Sequence, residues 1–377
     1  MLNFSKYIKL EGDKTIWGVV FFLLGLSVLL VYSIDGVSVI RTHIRNIIIA
    51  LFVMYFVHKL KFKYFSKLSV VAIVVSIVLL IVVYFIGNEI NGAKRWISLG
   101  GLSFQPSDLA KIAILIFMAR QISKYRDYLH EFKGVFWYLL GPLIFICCLI
   151  LPYNFSTAAL VFFNGLVLMI IGKVHLKFIL LIVGFSMAGV VFIYLGGKYV
   201  TPFQDFAPRS ITWVSRIDGF ISPSEDDVKN EGHQLNQAKI AIQNGGVLGK
   251  GPGKGVQRHF LYASSSDFIY AIMIEQYGLI IGGIMPIFLY LLFFYRSVII
   301  SSKSESVFGS LVVAGLSFAL VFQAISNMAV NVGLFPVTGQ TLPLISKGGT
   351  SIIFTCIAIG IILSISRNTN DRDYEKA

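Results

Sequence analysis

Acidic residues are scarce in this chain. Asp and Glu number 19 against 32 Lys and Arg, and the four charged types together make up only 14% of 377 residues. Soluble chains carry closer to about a quarter. The three cysteines, Cys147, Cys148 and Cys356, all fall inside apolar runs, which predicts neither a disulfide framework nor a metal cluster. The histidines (His43, His58, His130, His175, His233, His259) are scattered through loops and span edges. Without a His-Glu-x-x-His or a paired-ligand spacing, no metal cage is expected. Solenoid-type repeats and low-complexity tracts are absent, so residues 1–377 read as one domain.

Hydrophobic residues dominate instead, at 56%. They recur in runs of about 20 residues, the length that crosses a bilayer. Spans are expected at approximately 15–34, 44–58, 68–87, 106–122, 136–151, 156–172, 176–196, 267–294, 307–330 and 349–366. The fold expected is all-α, a polytopic membrane protein with ten transmembrane helices and a long extracytoplasmic loop, about 197–266, between helices 7 and 8. Thr15–Ile34 follows Lys6, Lys9 and Lys14. It is too long for a signal peptide and lacks a small-residue cleavage site, so it reads as a retained span.

The net charge of +13 sits mostly in short connections between apolar runs. It therefore signals orientation, and no nucleic-acid partner is expected. Loops on the side of the termini hold eighteen Lys and Arg, from Lys6 to Lys376, whereas the short opposite loops hold only Arg41, Arg45, Lys94, Arg95 and Lys347. That bias predicts cytoplasmic termini. Within the long loop, residues 234–244 place apolar side chains at helical spacing and end at Gly245-Gly246. A short amphipathic helix lying on the membrane surface is expected there.

Residues 332–353 are rich in Pro, Gly and hydroxyl side chains, yet lie between two membrane-length apolar segments. Irregular backbone cannot face lipid, because its unpaired N–H and C=O groups would have no water. The passage must line a protein-walled cavity or lie at the membrane surface. Asp267 opens the eighth span after three serines; it suits either an N-terminal helix cap or a general base facing an outer cavity. Glu275, eight residues on, would lie about 12 Å deeper along a straight helix and needs a partner. Lys111 in the fourth span is one candidate; alternatively Lys111 pairs with Asp108, three residues away on the same helical face. Gly249-Lys-Gly-Pro-Gly-Lys-Gly255 lacks the spacing of a nucleotide loop. It reads as a flexible turn, or as a cradle offering backbone N–H groups to a pyrophosphate. In the 91–108 loop, Lys94 and Arg95 break the charge rule by facing outward, which anionic-ligand recognition or headgroup contact would explain. Gln105 or Ser107 could cap the following helix, with Pro106 at its first position.

The string Asn91-Gly-Ala-Lys-Arg-Trp-Ile, followed by Gln105-Pro-Ser-Asp-Leu-Ala-Lys111, resembles the signature of the shape, elongation, division and sporulation (SEDS) family of FtsW/RodA/SpoVE membrane proteins. So do Gly249-Lys-Gly-Pro-Gly253, Ser266-Asp-Phe-Ile-Tyr-Ala-Ile with Glu275, Asn327-Met-Ala-Val-Asn331, Pro336-Val-Thr-Gly339, Leu342-Pro-Leu-Ile-Ser346 and Gly348-Gly-Thr-Ser351. Asn331 and the Thr-Gly-Gln-Thr-Leu-Pro pattern are more similar to the division branch, FtsW, than to RodA. The chain departs from the family in places. Tyr262-Ala-Ser-Ser-Ser266 replaces a Pro-Glu-x-His-Thr, Gln276 replaces the second acid of a Glu-Glu pair, and Asn154-Phe-Ser-Thr-Ala158 replaces Asp-Leu-Gly-Thr-Ala. Ser346-Lys-Gly-Gly replaces Ser-Tyr-Gly-Gly, and position 108 is Asp where Glu is usual.

The resemblance implies a peptidoglycan glycosyltransferase that polymerises lipid II on the outer face of the bacterial cytoplasmic membrane, at the division septum. It implies a class B penicillin-binding protein, a transpeptidase, as partner, alongside other divisome membrane proteins. The family's essential aspartate falls on Asp267, the expected base. Lys94, Arg95, Lys250, Lys254 and Lys347 are candidates for the pyrophosphate; Gln105, Lys111, Glu275, Thr338 and Ser346 complete the substrate-binding set. A divalent cation, Mg²⁺ or Mn²⁺, bridging pyrophosphate and Asp267 suits oxygen ligands, and nothing in the sequence demands it. Two other functions fit the same chain: a lipid II flippase using Asp108, Lys111 and Glu275 along a path, or a non-catalytic scaffold that activates its transpeptidase.

Overall fold

The computed structural model describes residues 10–90, 93–99, 102–202, 209–221 and 231–375. It is mostly helical. Among the described residues, six helical stretches are long and apolar enough to cross a membrane: Lys14–Lys59, Lys63–Ile86, Phe132–Ile150, Leu176–Tyr199, Ile269–Lys303 and Val307–Asn331. Phe155–Ile171 and Ser351–Arg367 are apolar but shorter. We number the helices α1 Lys14–Lys59, α2 Lys63–Ile86, α3 Pro106–Lys124, α4 Phe132–Ile150, α5 Phe155–Ile171 and α6 Leu176–Tyr199. They continue as α7 Arg209–Ile221, α8 Glu231–Gly245, α9 Ile269–Gly278, α10 Met285–Lys303, α11 Val307–Asn331 and α12 Ser351–Glu375.

Helix α1 is not a straight rod. The Ser27 hydroxyl lies 2.8 Å from His43 Nε2, whereas sixteen residues of straight helix would separate them by about 24 Å. Gly36, at φ 74° and ψ −165°, reverses the chain. The loop expected between the first two spans is therefore a single glycine turn, and the second arm starts near residue 37 instead of 44. Asp13 caps the first arm, accepting from the N–H groups of Thr15 (2.9 Å) and Ile16 (3.0 Å). It also pairs with Arg296 in the second half of α10, tying the start of α1 to that helix.

A second reversal replaces the straight eighth span. Tyr270 donates its hydroxyl to the carbonyl of Gly283 at 3.2 Å, thirteen residues that a straight helix would hold about 20 Å apart. Gly278, at φ 77°, breaks the helix. Helix α9 and the π-helical stretch Leu279–Ile284 then run back to back as a hairpin before α10 continues. Glu275 thus lies on α9, three residues before the turn.

The expectation of an all-helical chain misses a small sheet. Strands β1 Asn88–Ile90, β2 Ala93–Leu99 and β3 Leu102–Phe104 pair antiparallel in the order β1-β2-β3. Residues expected as a long loop at 197–266 include α7 and α8. Helix α8 buries Ala238 and Ala241 fully, in a cluster with Leu261, Phe268, Ala271 and Ile272. Its small residues face α9, while Ile240 on the same helix stays exposed. The bundle packs α1 against α12, α2 against α3 and α10 against α11. Large apolar side chains remain on the outside, such as Phe85 (71% exposed) on α2 and Phe185 (74%) on α6. Such a surface is stable against lipid and not against water. The chain is a multi-pass membrane protein.

Candidate functional site

Residues 332–350 carry no helix or strand, yet Leu342 to Ser346 are buried and Gln340 is nearly so. The passage is walled by protein, and its polar groups are satisfied by named partners. Asn327 on α11 donates to the carbonyls of Gln340 (2.7 Å) and Asp267 (2.8 Å). The Ser346 hydroxyl donates to the Ser266 carbonyl (2.6 Å) and accepts from the Leu342 N–H (2.8 Å). The Lys347 N–H donates to the Ser265 carbonyl at 2.8 Å. The 264–267 segment and the 339–347 segment are thereby sewn together, and a Cβ on Gly339 would sit 3.7 Å from Asp267 Oδ2.

Asp267 does not cap α9. The cap position is Phe268, with no side-chain bond, and Asn331 Oδ1 accepts from the Ala271 N–H instead, at 3.1 Å. The Asp267 carboxylate keeps part of its surface accessible while the surrounding protein displaces most nearby water. That burial pushes its pKa up to about 6, against the opposing pull of the Ser266 hydroxyl and the charges of Arg95 and Arg216. Arg95, in β2, is itself drawn down to about 10 by burial and by its neighbours Arg209 and Arg216. It stays cationic at neutral pH.

These arginines line one cleft of about 1090 Å³, partly open to solvent. Its walls are apolar, with Phe155, Phe163, Trp213 and Phe322 prominent, and Thr338 contributes a hydroxyl. Helix α7 supplies Arg209 and Arg216, seven residues apart and so on one face after two turns. Trp213 packs on Phe155 with ring centroids 5.1 Å apart. Asp218 fixes α7 to α6 by accepting from Tyr194 (2.6 Å) and Lys198 (2.8 Å). Arg209 and Arg216 were not singled out as site residues from the sequence. The seven-residue repeat of arginine around an apolar pair was the signal available.

Arg95 and Thr338 line this cleft; Asp267 lies beside it, within reach of the charges of Arg95 and Arg216, and Ser346 holds the neighbouring Ser266 carbonyl. The other sequence candidates lie elsewhere. Gln105 meets Arg95 across a smaller hollow beside the cleft and donates to Ser107 at 2.8 Å. Lys347 pairs with Asp35 at the first hairpin turn, 3.0 Å away. Lys94 is in β2, opposite Glu89; its side chain lies outside the described residues. Lys254 is exposed. Lys111 lines a separate cavity of about 580 Å³ among α3, α5, α11 and α12. It pairs there with Asp108 at 2.8 Å and with Gln323 at 3.4 Å.

The expected Lys111–Glu275 pair is therefore corrected. Glu275, fully buried, accepts from the N–H groups of Val256 (3.0 Å) and Gln257 (3.3 Å) and faces Lys250 at 3.8 Å. In the glycine turn itself, the N–H groups of Lys250 and Gly251 go to the carbonyls of Glu275 and Gln276; the two residues just after it hold the Glu275 carboxyl. Truncation by Glu275→Ala leaves those buried donors unpaired and is expected to cost about 3 kcal/mol. The Lys111→Ala, Glu275→Ala double mutant should show coupling below about 0.5 kcal/mol in thermal unfolding. A coupling of 2 kcal/mol or more would restore the original pairing.

An anion-attracting, apolar-walled cleft beside a raised carboxylate, set in a membrane bundle, defines a class: membrane-embedded proteins built to handle lipid-linked anions. The chain belongs to the FtsW/RodA/SpoVE cell cycle protein family, whose model matches residues 13–371. It is 31% identical to the probable peptidoglycan glycosyltransferase FtsW of Methylomonas methanica over 94% of this chain and 92% of that one. It is 34% identical to the protein of the same description in Haemophilus influenzae, over 77% and 71%. Its fold is similar to a chain solved in a study of polymerization and crosslinking by a peptidoglycan synthase complex, with a TM-score of 0.80 at 23% identity, covering 95% of this chain and 98% of that one.

Proposed function

We propose that this protein is a peptidoglycan glycosyltransferase of the cell-division type, polymerising lipid II into glycan strands. The observation that carries the reading is the placement of Asp267 against a cleft lined by Arg95, Arg209 and Arg216. Polymerisation joins the 4-hydroxyl of one sugar to the anomeric carbon of another. Asp267 accepts the hydroxyl proton as the oxygen attacks, and the bond from the anomeric carbon to the lipid diphosphate breaks. The departing diphosphate carries the electron pair and stays anionic. Arg95, Arg209 and Arg216 stabilise it, in a setting where partial exclusion of water strengthens charge-assisted contacts. The aromatic and aliphatic walls suit the polyprenyl chains.

A divalent cation would enter with the diphosphate. Among the described residues no three ligating side chains converge, so Asp267 would be its protein contact. Ten membrane crossings, with the reversal at Gly36 dividing α1 into two, and with both termini in the cytoplasm, are supported by the charge bias of the short loops. The cleft then faces outward. A class B penicillin-binding protein at the septum is the proposed partner, in keeping with the peptidoglycan synthase complex in which the similar fold was solved.

The test is polymerisation of lipid II by the purified protein with its transpeptidase partner blocked by a β-lactam. Glycan chains are expected; none with folded, partnered protein would favour the flippase or scaffold reading. The same assay checks the base. A carboxyl at about 6 is protonated, and useless as a base, below that pH. Activity should therefore fall as pH drops through about 6, whereas an ordinary carboxylate would hold activity down to about 4. An acid limb near 4 would mean that Asp267 is hydrated in the working enzyme.

A further inference from the structure

Helix α11 faces the catalytic segment with three amide side chains at four-residue spacing, Gln323, Asn327 and Asn331. Asn327 and Asn331 are 1% and 0% exposed, and burying an amide is unfavourable unless it is fully bonded. Both are. Asn327 divides its two amide hydrogens between the carbonyls of Asp267 and Gln340. Asn331 donates to the carbonyls of Asp267 (2.9 Å) and Asn327 (2.8 Å) and accepts from the Ala271 N–H. One turn earlier, Gln323 donates to the Thr341 carbonyl at 2.9 Å.

The Asp267 carbonyl thus takes two donors, filling both of its lone pairs. Asp267 itself sits in a turn, before α9 begins, so no helical ladder fixes its backbone. The two asparagines supply what the ladder would have supplied. With the peptide plane after Asp267 held from two sides, the direction of its Cα–Cβ bond is held too.

We propose that Asn327 and Asn331 are positioning residues: they touch no substrate, and they aim the Asp267 carboxylate by clasping its backbone to the 339–347 segment and to the first turn of α9. The proposal rests on Asp267 being the base. Misplacement of a reacting group by about 1 Å can cost about a hundredfold in rate, so loss of the clasp should appear in turnover and not in binding.

The test compares Asn327→Ala and Asn331→Ser with the parent protein in lipid II polymerisation across pH, with Asp267→Asn alongside and folding checked by thermal unfolding. The expected result is a kcat lowered about 10- to 100-fold, KM within about threefold, and an acid limb displaced below the parent's as Asp267 gains water. Asn331→Ser carries the test if Asn327→Ala does not fold. A folded variant with parental kcat and an unmoved limb overturns the proposal, as does a rise in KM that accounts for the whole loss. If Asp267→Asn retains parental activity, the base reading fails whatever the asparagine variants do. If Asp267→Asn is inactive while the asparagine variants match the parent, only the clasp fails.

Discussion

Asp267→Asn should polymerise lipid II about 10²–10⁴-fold more slowly than the parent protein, with unfolding temperature nearly unchanged. The substitution keeps the size of the side chain and leaves the backbone carbonyl, the atom that Asn327 and Asn331 hold, in place. It removes the charge and the basicity. Because the cap position of α9 is Phe268 and not Asp267, no capping loss confuses the result. Asp267→Glu should also retain little activity, since a methylene displaces the carboxylate relative to the arginine-lined cleft. Folded Asp267→Asn working at the parental rate would place the base elsewhere and bring the flippase and scaffold readings forward.

The two hairpin glycines should respond differently to alanine. At Gly278 the backbone is at φ 77°, and an added Cβ would lie 2.2 Å from the Val247 carbonyl oxygen. Backbone cannot yield as a side-chain end can, so Gly278→Ala combines the strain of a glycine-only backbone conformation with overpacking, together about 3 kcal/mol or more. Gly36 has a similar φ of 74°, with ψ −165°, but nothing within 4 Å of the added atom; Gly36→Ala should cost only the strain of this glycine-favouring conformation, about 1–3 kcal/mol. Thermal unfolding in one detergent measures both. Equal losses would show that the contact at Gly278 is relieved by movement of the glycine-turn segment.

The length of the apolar runs made the helices legible, since a backbone crossing lipid must satisfy its own N–H and C=O groups within a helix. For 332–350 the residues narrowed the choice to a protein-walled cavity or the membrane surface, because irregular backbone cannot face lipid, and the burial of Leu342 to Ser346 decides for the protein wall. The two reversals were harder. Gly36 and Gly278 are single residues within apolar runs, and a run looks the same whether it continues or folds back. The pairing of Glu275 with Lys111 failed because the partners of Glu275, the N–H groups of Val256 and Gln257, come from the segment that precedes α9, and Lys111 takes its own near neighbour Asp108. Arg209 and Arg216 lie in a stretch of mixed charge where only the folded position of α7 reveals that they face Arg95. The asparagines of α11 were visible as residues, but the carbonyls they hold come from 60 and 64 positions away.

The first hairpin has a consequence for how the protein is made. Ser27, buried in its first arm, donates to the Ile345 carbonyl across a separation of 318 residues. Ser364 on the last helix returns the tie by donating to the Leu60 carbonyl, 304 residues back. During synthesis the opening helices enter the bilayer long before these partners exist. Their polar groups must wait with each other or with water, as Ser27 can with His43. The last stretch of chain therefore has two tasks, to close the bundle against its beginning and to complete the wall behind Asp267. A chain halted before residue 339 would hold its aspartate and its arginines, yet have no working site.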